Sequence, residues 1–167
     1  TSGEGTVRFK PGEYYKYVNT NFTILAMIAK KATDKTYKEL ITSMIIDRLE
    51  LAGTSVPGDY DVDMPAPFTH GYDICNETSV WKDYSVQNMS WDLGAGNIIS
   101  TAGDLLTMIK AIYTGGLISA ELKEKMLTPP EVDDYDHKAT PSKYGFGMFI
   151  SGDMVTHTGA NPGYNAF

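Results

Sequence analysis

The sequence predicts an α+β fold, and two observations carry that reading. Several stretches with the 3.6-residue period of helices lie before Leu127, and a glycine-interleaved aromatic stretch with a turn follows near the end. Helices and strands come in separate runs rather than in alternation, as expected for helices beside an antiparallel sheet. A length of 167 residues is enough for one domain, taken here as 1–167.

The elements follow in order. Asn19 or Thr20 is placed to cap a helix that carries Phe22, Ile24, Leu25, Met27 and Ile28 and ends on Lys30-Lys31, where positive charge suits the helix dipole. Apolar residues cover most of its circumference, which predicts a buried helix. Thr36-x-x-Glu39 has the form of a capping box, and Tyr37, Leu40, Ile41, Met44, Ile45 and Leu49 continue at helical spacing, with Gly53 as the stop. Residues 55–96 lack sustained periodicity and hold Pro57-Gly58, Pro65 and Pro67, so they read as a long loop with short pieces of structure, a kind of segment often found near functional sites.

A third helix starts at Ser100 or Thr101, carries Leu105, Leu106, Met108, Ile109, Ile112 and Tyr113, and ends at Gly115-Gly116. A short helix from Ser119 to about Leu127 is cut off before Pro129-Pro130. Met44, Met108 and Met126 fall on helical faces and are expected in the core. Tyr144–Ile150 predicts one strand, Ser151-Gly152-Asp153 a turn, and Met154–His157 the return strand. A lone two-stranded hairpin is marginal in water, so a third strand, a covering helix or an edge of another chain is expected to complete it.

Charge and composition exclude several classes. The chain carries 14 basic and 21 acidic residues, net −7, with no basic stripe of the kind nucleic acids require. Residues 51–100 hold one basic residue, Lys82, against 7 acidic ones, an acidic connecting segment. No apolar run approaches the roughly 20 residues of a membrane helix. Thr1–Gly5 shows no basic and apolar leader pattern. The single cysteine, Cys75, rules out an internal disulfide and a multi-cysteine zinc site. His70 and His137 lack ligand spacing, so no metal and no cofactor are expected.

Two short motifs could carry chemistry. In Tyr17-Val18-Asn19 the phenol and the amide, two residues apart in extended backbone, point to one side; the same residues also suit a packed tyrosine and a helix cap. His157-Thr158-Gly159 combines an imidazole, a hydroxyl and a glycine that admits close approach to the backbone; a solvated histidine at a strand end is the simpler alternative. Trp91, beside the Gly94-Ala95-Gly96 turn, suits either a cleft wall or the core.

The surroundings and order of these motifs add to them. Pro11-Gly12 followed by Tyr17-Val-Asn19-Thr-Asn-Phe22, then Leu49-Glu-Leu-Ala-Gly-Thr54, then Gly94-Ala-Gly-Asn-Ile-Ile-Ser-Thr-Ala-Gly-Asp-Leu105, then Tyr144-Gly-Phe-Gly-Met148, and finally His157-Thr-Gly159 with Gly163 form five blocks. In that order they resemble the penicillin-recognising serine hydrolases, the serine D-alanyl-D-alanine carboxypeptidases and class C β-lactamase-like proteins. The resemblance implies the β-lactamase/transpeptidase-like version of the α+β class, mainly its all-α region plus one hairpin of its sheet. It implies a serine acyl-hydrolase acting through an acyl-enzyme on a small peptide, β-lactam or ester, outside the cytoplasm. Esterase, D-aminopeptidase and an inactive binding module are the alternatives.

Carried over, Tyr17 becomes the proton-relay phenol and His157 the partner that poises it. Asn19 binds the substrate amide, Thr158 reaches the substrate carboxylate or scissile amide, and Gly159 keeps the strand approachable. The Ala160 N–H is one of two oxyanion donors, and Trp91 walls the cleft. The family's Ser-x-x-Lys nucleophile precedes Tyr-x-Asn, and no such segment lies in residues 1–16; Ser79-Val-Trp-Lys82 has the spacing but lies in the irregular acidic segment, and is read as accidental. The expectation is an internal part of a longer hydrolase, inactive alone, whose hairpin pairs with another chain or stays an exposed edge. Thr1-Ser2-Gly3 resembles the family's segment after the nucleophile helix.

Overall fold

The computed structural model describes residues 7–75, 79–135 and 143–166. In chain order its elements are β1 (Tyr14–Tyr15), α1 (Asn19–Thr33), α2 (Tyr37–Ile41), a π-helical segment (Thr42–Ile46), α3 (Asp47–Leu49), β2 (Tyr72–Cys75), β3 (Val80–Asp83) and a 3₁₀ turn (Ser90–Asp92). They continue with α4 (Ala102–Thr114), α5 (Ala120–Leu127), β4 (Asp133–Asp134), β5 (Lys143–Tyr144), β6 (Phe149–Ser151), β7 (Met154–Thr156), β8 (Gly159–Asn161) and β9 (Tyr164–Ala166). The mixture is the expected α+β class. The chain divides into two compact units, one of Thr1–Val18 with Glu124–His157 and one of Asn19–Lys123 with Thr158–Phe167. Thr1-Ser2-Gly3 and His137 lie outside the described residues.

In the larger unit the helices form where local signals place them. Thr36 Oγ1 accepts from the Glu39 N–H at 3.2 Å while the Glu39 carboxylate accepts from the Thr36 N–H at 2.7 Å, a complete capping box. The run from Tyr37 to Leu49 is continuous but passes through a π-helical segment. It ends when Glu50 turns left-handed at φ 54°, earlier than the expected stop at Gly53. Gly53 serves another purpose: a Cβ there would lie 2.6 Å from Thr101 Cγ2, and its N–H donates to Asp104 Oδ2 at 2.9 Å. Thr54 Oγ1 donates to the same oxygen at 2.7 Å, and Ser55 and Ile99 exchange backbone hydrogen bonds. Thr101 caps α4 by accepting from the Asp104 N–H at 3.2 Å, and Gly115 in the left-handed region follows its last turn.

Among the described residues the buried apolar side chains are Ala26, Leu40, Leu51, Val56 and Ala111, all in this unit. The expectation that α1 is buried is corrected. Ala26 is its buried residue, approached by the backbone of Gly94, whereas Ile24, Leu25, Met27 and Ile28 are 48–61% exposed. A helix apolar all round needs neighbours on every side, and the described residues of its unit cover one. Met44, expected in the core, is 61% exposed as well. Asn19 is the first helical residue, so it opens α1 rather than flanking it as a cap.

Residues 55–96 contain one antiparallel hairpin, with Tyr72 opposite Asp83 and Ile74 opposite Trp81. A second, unexpected hairpin pairs β8 with β9, Asn161 opposite Tyr164. Its two-residue loop is Pro162-Gly163, with Gly163 at φ 82°, the positive value that the second central residue of a type II turn requires. That turn packs on Gly71, where a Cβ would meet Tyr164 Cε2 at 2.5 Å and the Gly163 carbonyl at 2.8 Å.

The smaller unit holds β1 parallel to β4 and a three-stranded antiparallel sheet in the order β5-β6-β7. The expected single strand from Tyr144 to Ile150 is corrected: it folds back on itself. The Gly145 N–H donates to the Met148 carbonyl at 2.8 Å, and Gly147 takes φ 83°. The Phe146 N–H donates to the Met126 carbonyl at 3.0 Å, so the turn docks on the last turn of α5, and a Cβ at Gly145 would strike that same carbonyl. The third strand the hairpin needed therefore comes from the same motif, with Tyr144 opposite Phe149 and Phe149 opposite Thr156.

Candidate active site

The smaller unit brings Tyr17 and His157 together from sequence positions 140 residues apart. Tyr17 follows β1, which is held by β4 and by the Tyr135 N–H donating to the Tyr15 carbonyl at 2.8 Å. His157 directly follows β7. Their ring centroids are 5.7 Å apart at 49°. Phe149 packs on both, 6.2 Å from the Tyr17 ring and 5.3 Å from the His157 ring. Tyr144 meets the Tyr17 ring edge-on at 5.6 Å, and its hydroxyl lies 3.1 Å from His157 Nε2.

Tyr15 stacks on Tyr144 at 5.2 Å and 21°. Its hydroxyl is buried without a hydrogen-bond partner. Burial, then the charge of Asp134, then Tyr17 push its phenol up to about 12. Burial above all, then Tyr17 and Tyr15, push the Tyr144 phenol up as well. The cluster is thus a half-buried aromatic wall in which the phenols of Tyr15 and Tyr144 stay protonated at neutral pH.

The remaining expected site residues belong to the larger unit. Asn19 is exposed at the start of α1. Trp91 is 63% exposed in the 3₁₀ turn, which excludes the core alternative. Thr158, Gly159 and Ala160 are exposed at and before β8. Asn161 and Tyr164 flank the two-residue loop and form the hydrogen-bonded pair next to it. Antiparallel pairs alternate, so Ala160 opposite Asn165 takes a non-hydrogen-bonded position, and its N–H is directed away from β9. Ser79-Val-Trp-Lys82 is no nucleophile helix: Ser79 sits at φ 55° before β3, and Lys82 lies in the strand with its Nζ over the Tyr84 ring at 4.9 Å.

Three features escaped the sequence reading. Tyr144 was visible only as part of a motif. Buried Asp92 is the second, its carboxyl raised by burial against the opposing hydrogen bond from Asn161. Its backbone carbonyl accepts from the N–H groups of Ala95 and Gly96, and the Asn161 amide donates to the Gly96 carbonyl at 3.1 Å, tying the glycine turn to β8. The third is a Ser85, His70 and Asp83 cluster. His70 Nδ1 lies 2.9 Å from Asp83 Oδ2 and 3.2 Å from Ser85 Oγ. A serine relay needs the two ring nitrogens to serve different partners. Here one nitrogen meets both, so the cluster is a structural anchor of β2 and β3.

Among the described residues no group of three or more His, Cys, Asp or Glu could hold a metal ion, and no helix is long and apolar enough to cross a membrane.

This mixed helix and sheet fold matches that of the beta-lactamases and penicillin-binding proteins. The sequence matches the beta-lactamase family over residues 4–167, and the chain belongs to that family. It is 28% identical to Penicillin-binding protein 4* of Bacillus subtilis (strain 168), covering 94% of this chain and 37% of that protein. It is 24% identical to a D-aminopeptidase of Gluconobacter oxydans (strain 621H), covering 98% of this chain and 30% of that protein. A D-stereospecific amidohydrolase from Streptomyces sp. superposes with a TM-score of 0.82 at 29% identity, covering 93% of this chain and 46% of that one. The chain therefore spans less than half the length of these relatives.

Proposed function

We propose that the protein is a serine acyl-hydrolase acting on an amide or lactam next to a D-configured residue. The observation that supports this best is the Tyr17 and His157 ring pair, 5.7 Å apart within one unit. A serine hydroxyl attacks the carbonyl; its proton passes through the Tyr17 phenol to the leaving nitrogen as the C–N bond breaks, and water then hydrolyses the acyl-enzyme. His157 poises Tyr17. Asn19 holds the substrate amide, Thr158 reaches its carboxylate or scissile amide, and Trp91 supplies an apolar wall. The Ala160 N–H, directed away from β9, is an oxyanion donor. The attacking serine is not assigned among these 167 residues: their Ser-x-x-Lys spacing, Ser79–Lys82, enters β3 rather than a helix, and alone they are expected to turn nothing over. The D-aminopeptidase and penicillin-binding relatives support the class, and with it a location outside the cytoplasm.

A second reading, an aminopeptidase or amidase rather than a carboxypeptidase, is favoured by Ala160, where a hydroxyl would help bind a carboxylate, and by the absence of arginine after Arg48. Labelling the full-length protein with a fluorescent penicillin or a fluorophosphonate tests the class. A covalent adduct on one serine is expected, and no adduct with either probe refutes it. Turnover of D-amino-acid amides against D-Ala-D-Ala peptides separates the two branches.

A further inference from the structure

We infer that Tyr144 is a positioning residue that fixes His157 as the tautomer protonated on Nδ1, leaving Nε2 as an acceptor. The Tyr144 hydroxyl lies 3.1 Å from Nε2 in a part-buried setting, and a phenol O–H taken out of water needs an acceptor. The phenol has one proton to give, and Nε2 is its hydrogen-bond partner in the structure. Burial keeps that phenol protonated, so its O–H stays available to donate.

The clamp is rigid because the Tyr144 ring is held from several sides. Tyr15 stacks on it at 5.2 Å, Phe149 meets it edge-on at 4.7 Å, and β5 pairing sets Tyr144 opposite Phe149. The same ring borders Tyr17 at 5.6 Å, so one side chain orients the imidazole and confines the phenol beside it. With Nε2 engaged, the hydrogen that the imidazole presents is the one on Nδ1. The consequence for catalysis rests on the proposed role of His157 as the partner of Tyr17; the tautomer itself does not.

Long-range proton–nitrogen correlation spectra of the ¹⁵N-labelled chain test this at about pH 9, well above the ordinary histidine range. The chain has three histidines, and His157→Gln identifies the resonances of His157. In the wild type, Nε2 should resonate as an unprotonated acceptor and Nδ1 as protonated. In Tyr144→Phe both shifts should move toward the Nε2–H form, whereas Phe149→Leu, which disturbs packing and keeps the phenol, should leave the pattern intact.

A wild-type His157 already protonated on Nε2, no shift in Tyr144→Phe, or an equal shift in Phe149→Leu overturns the inference. His70, paired with Asp83 in the other unit, reports whether each variant is folded; if Tyr144→Phe fails to fold, the wild-type tautomer decides alone. The readout needs no turnover. An Nδ1–H His157 in a protein that no penicillin or fluorophosphonate labels would refute the hydrolase and leave the clamp standing; labelling with an Nε2–H His157 would do the reverse.

Discussion

Thr54 and Asp104 are locked together: one carboxylate oxygen of Asp104 accepts the Thr54 hydroxyl at 2.7 Å and the neighbouring Gly53 N–H at 2.9 Å. Two sequence blocks fifty residues apart are thereby made one structure, joined further by the Ser55–Ile99 bridge. Asp104→Ala should destabilise the chain by about 1 kcal/mol, since it removes two charge-assisted hydrogen bonds whose donors keep water or Ser100 as partners. Asp104→Asn should lose roughly half of that. Urea unfolding followed by far-UV circular dichroism measures both, and equal midpoints for all three proteins would contradict this account.

Gly71→Ala should push the β8–β9 turn away. The added Cβ has no room against the Tyr164 ring and the Gly163 carbonyl, both within 2.8 Å. The cost expected for overpacking is about 1–3 kcal/mol. The hydrogen bond from the Tyr164 hydroxyl to the Thr69 carbonyl, 3.0 Å long, should be lost with it. Amide exchange at Tyr164 and its neighbours should accelerate; unchanged protection would show that the contact is not tight.

The acid stability of the β2–β3 hairpin should follow Asp83. The Ser85 hydroxyl and N–H, then His70, lower its carboxyl from the ordinary 3.8 to about 2. The folded value lies below the unfolded one, so the stabilisation is complete above about pH 4 and fades as the pH falls toward about 2. A carbon-detected titration of the Asp83 carboxyl should show its midpoint near 2. In Asp83→Asn the hairpin should lose this acid dependence.

On the proposed mechanism, Tyr17→Phe in the full-length protein should reduce acylation about 10²- to 10⁴-fold, the range for a lost proton relay, with no loss of folding. Stopped-flow acylation by a chromogenic cephalosporin reads the rate. A Tyr17→Phe enzyme as fast as the wild type would remove the phenol from the mechanism.

The parts legible in the sequence were those set by neighbours in the chain. The Thr36–Glu39 box, the Thr101 cap and the Gly115 stop each act within four residues, and each formed. Tyr144–Ile150 was misread because aromatic residues interleaved with glycines satisfy a strand and a tight turn alike; the docking of Phe146 on Met126 decides for the turn. The exposed sides of α1 could not be read from periodicity, which says that a face is apolar and not what covers it. For the candidate site, Tyr17 and His157 were singled out by short motifs that are weak alone and gained weight through their order in the chain. The bond from Tyr144 to His157 and the tie from Asn161 to Gly96 join residues that no spacing rule connects.

Both tryptophans, Trp81 and Trp91, lie in the larger unit and are 67% and 63% exposed, while Tyr15, Tyr17 and Tyr144 crowd together in the smaller one. The optical signals of the protein are consequently divided. Indole emission will be red-shifted even in the native state and open to quenching by iodide, whereas the near-ultraviolet dichroism of coupled tyrosines will report the order of the aromatic cluster. A ligand that dims the first without altering the second would have touched Trp91 or Trp81 and left the tyrosine cluster as it was.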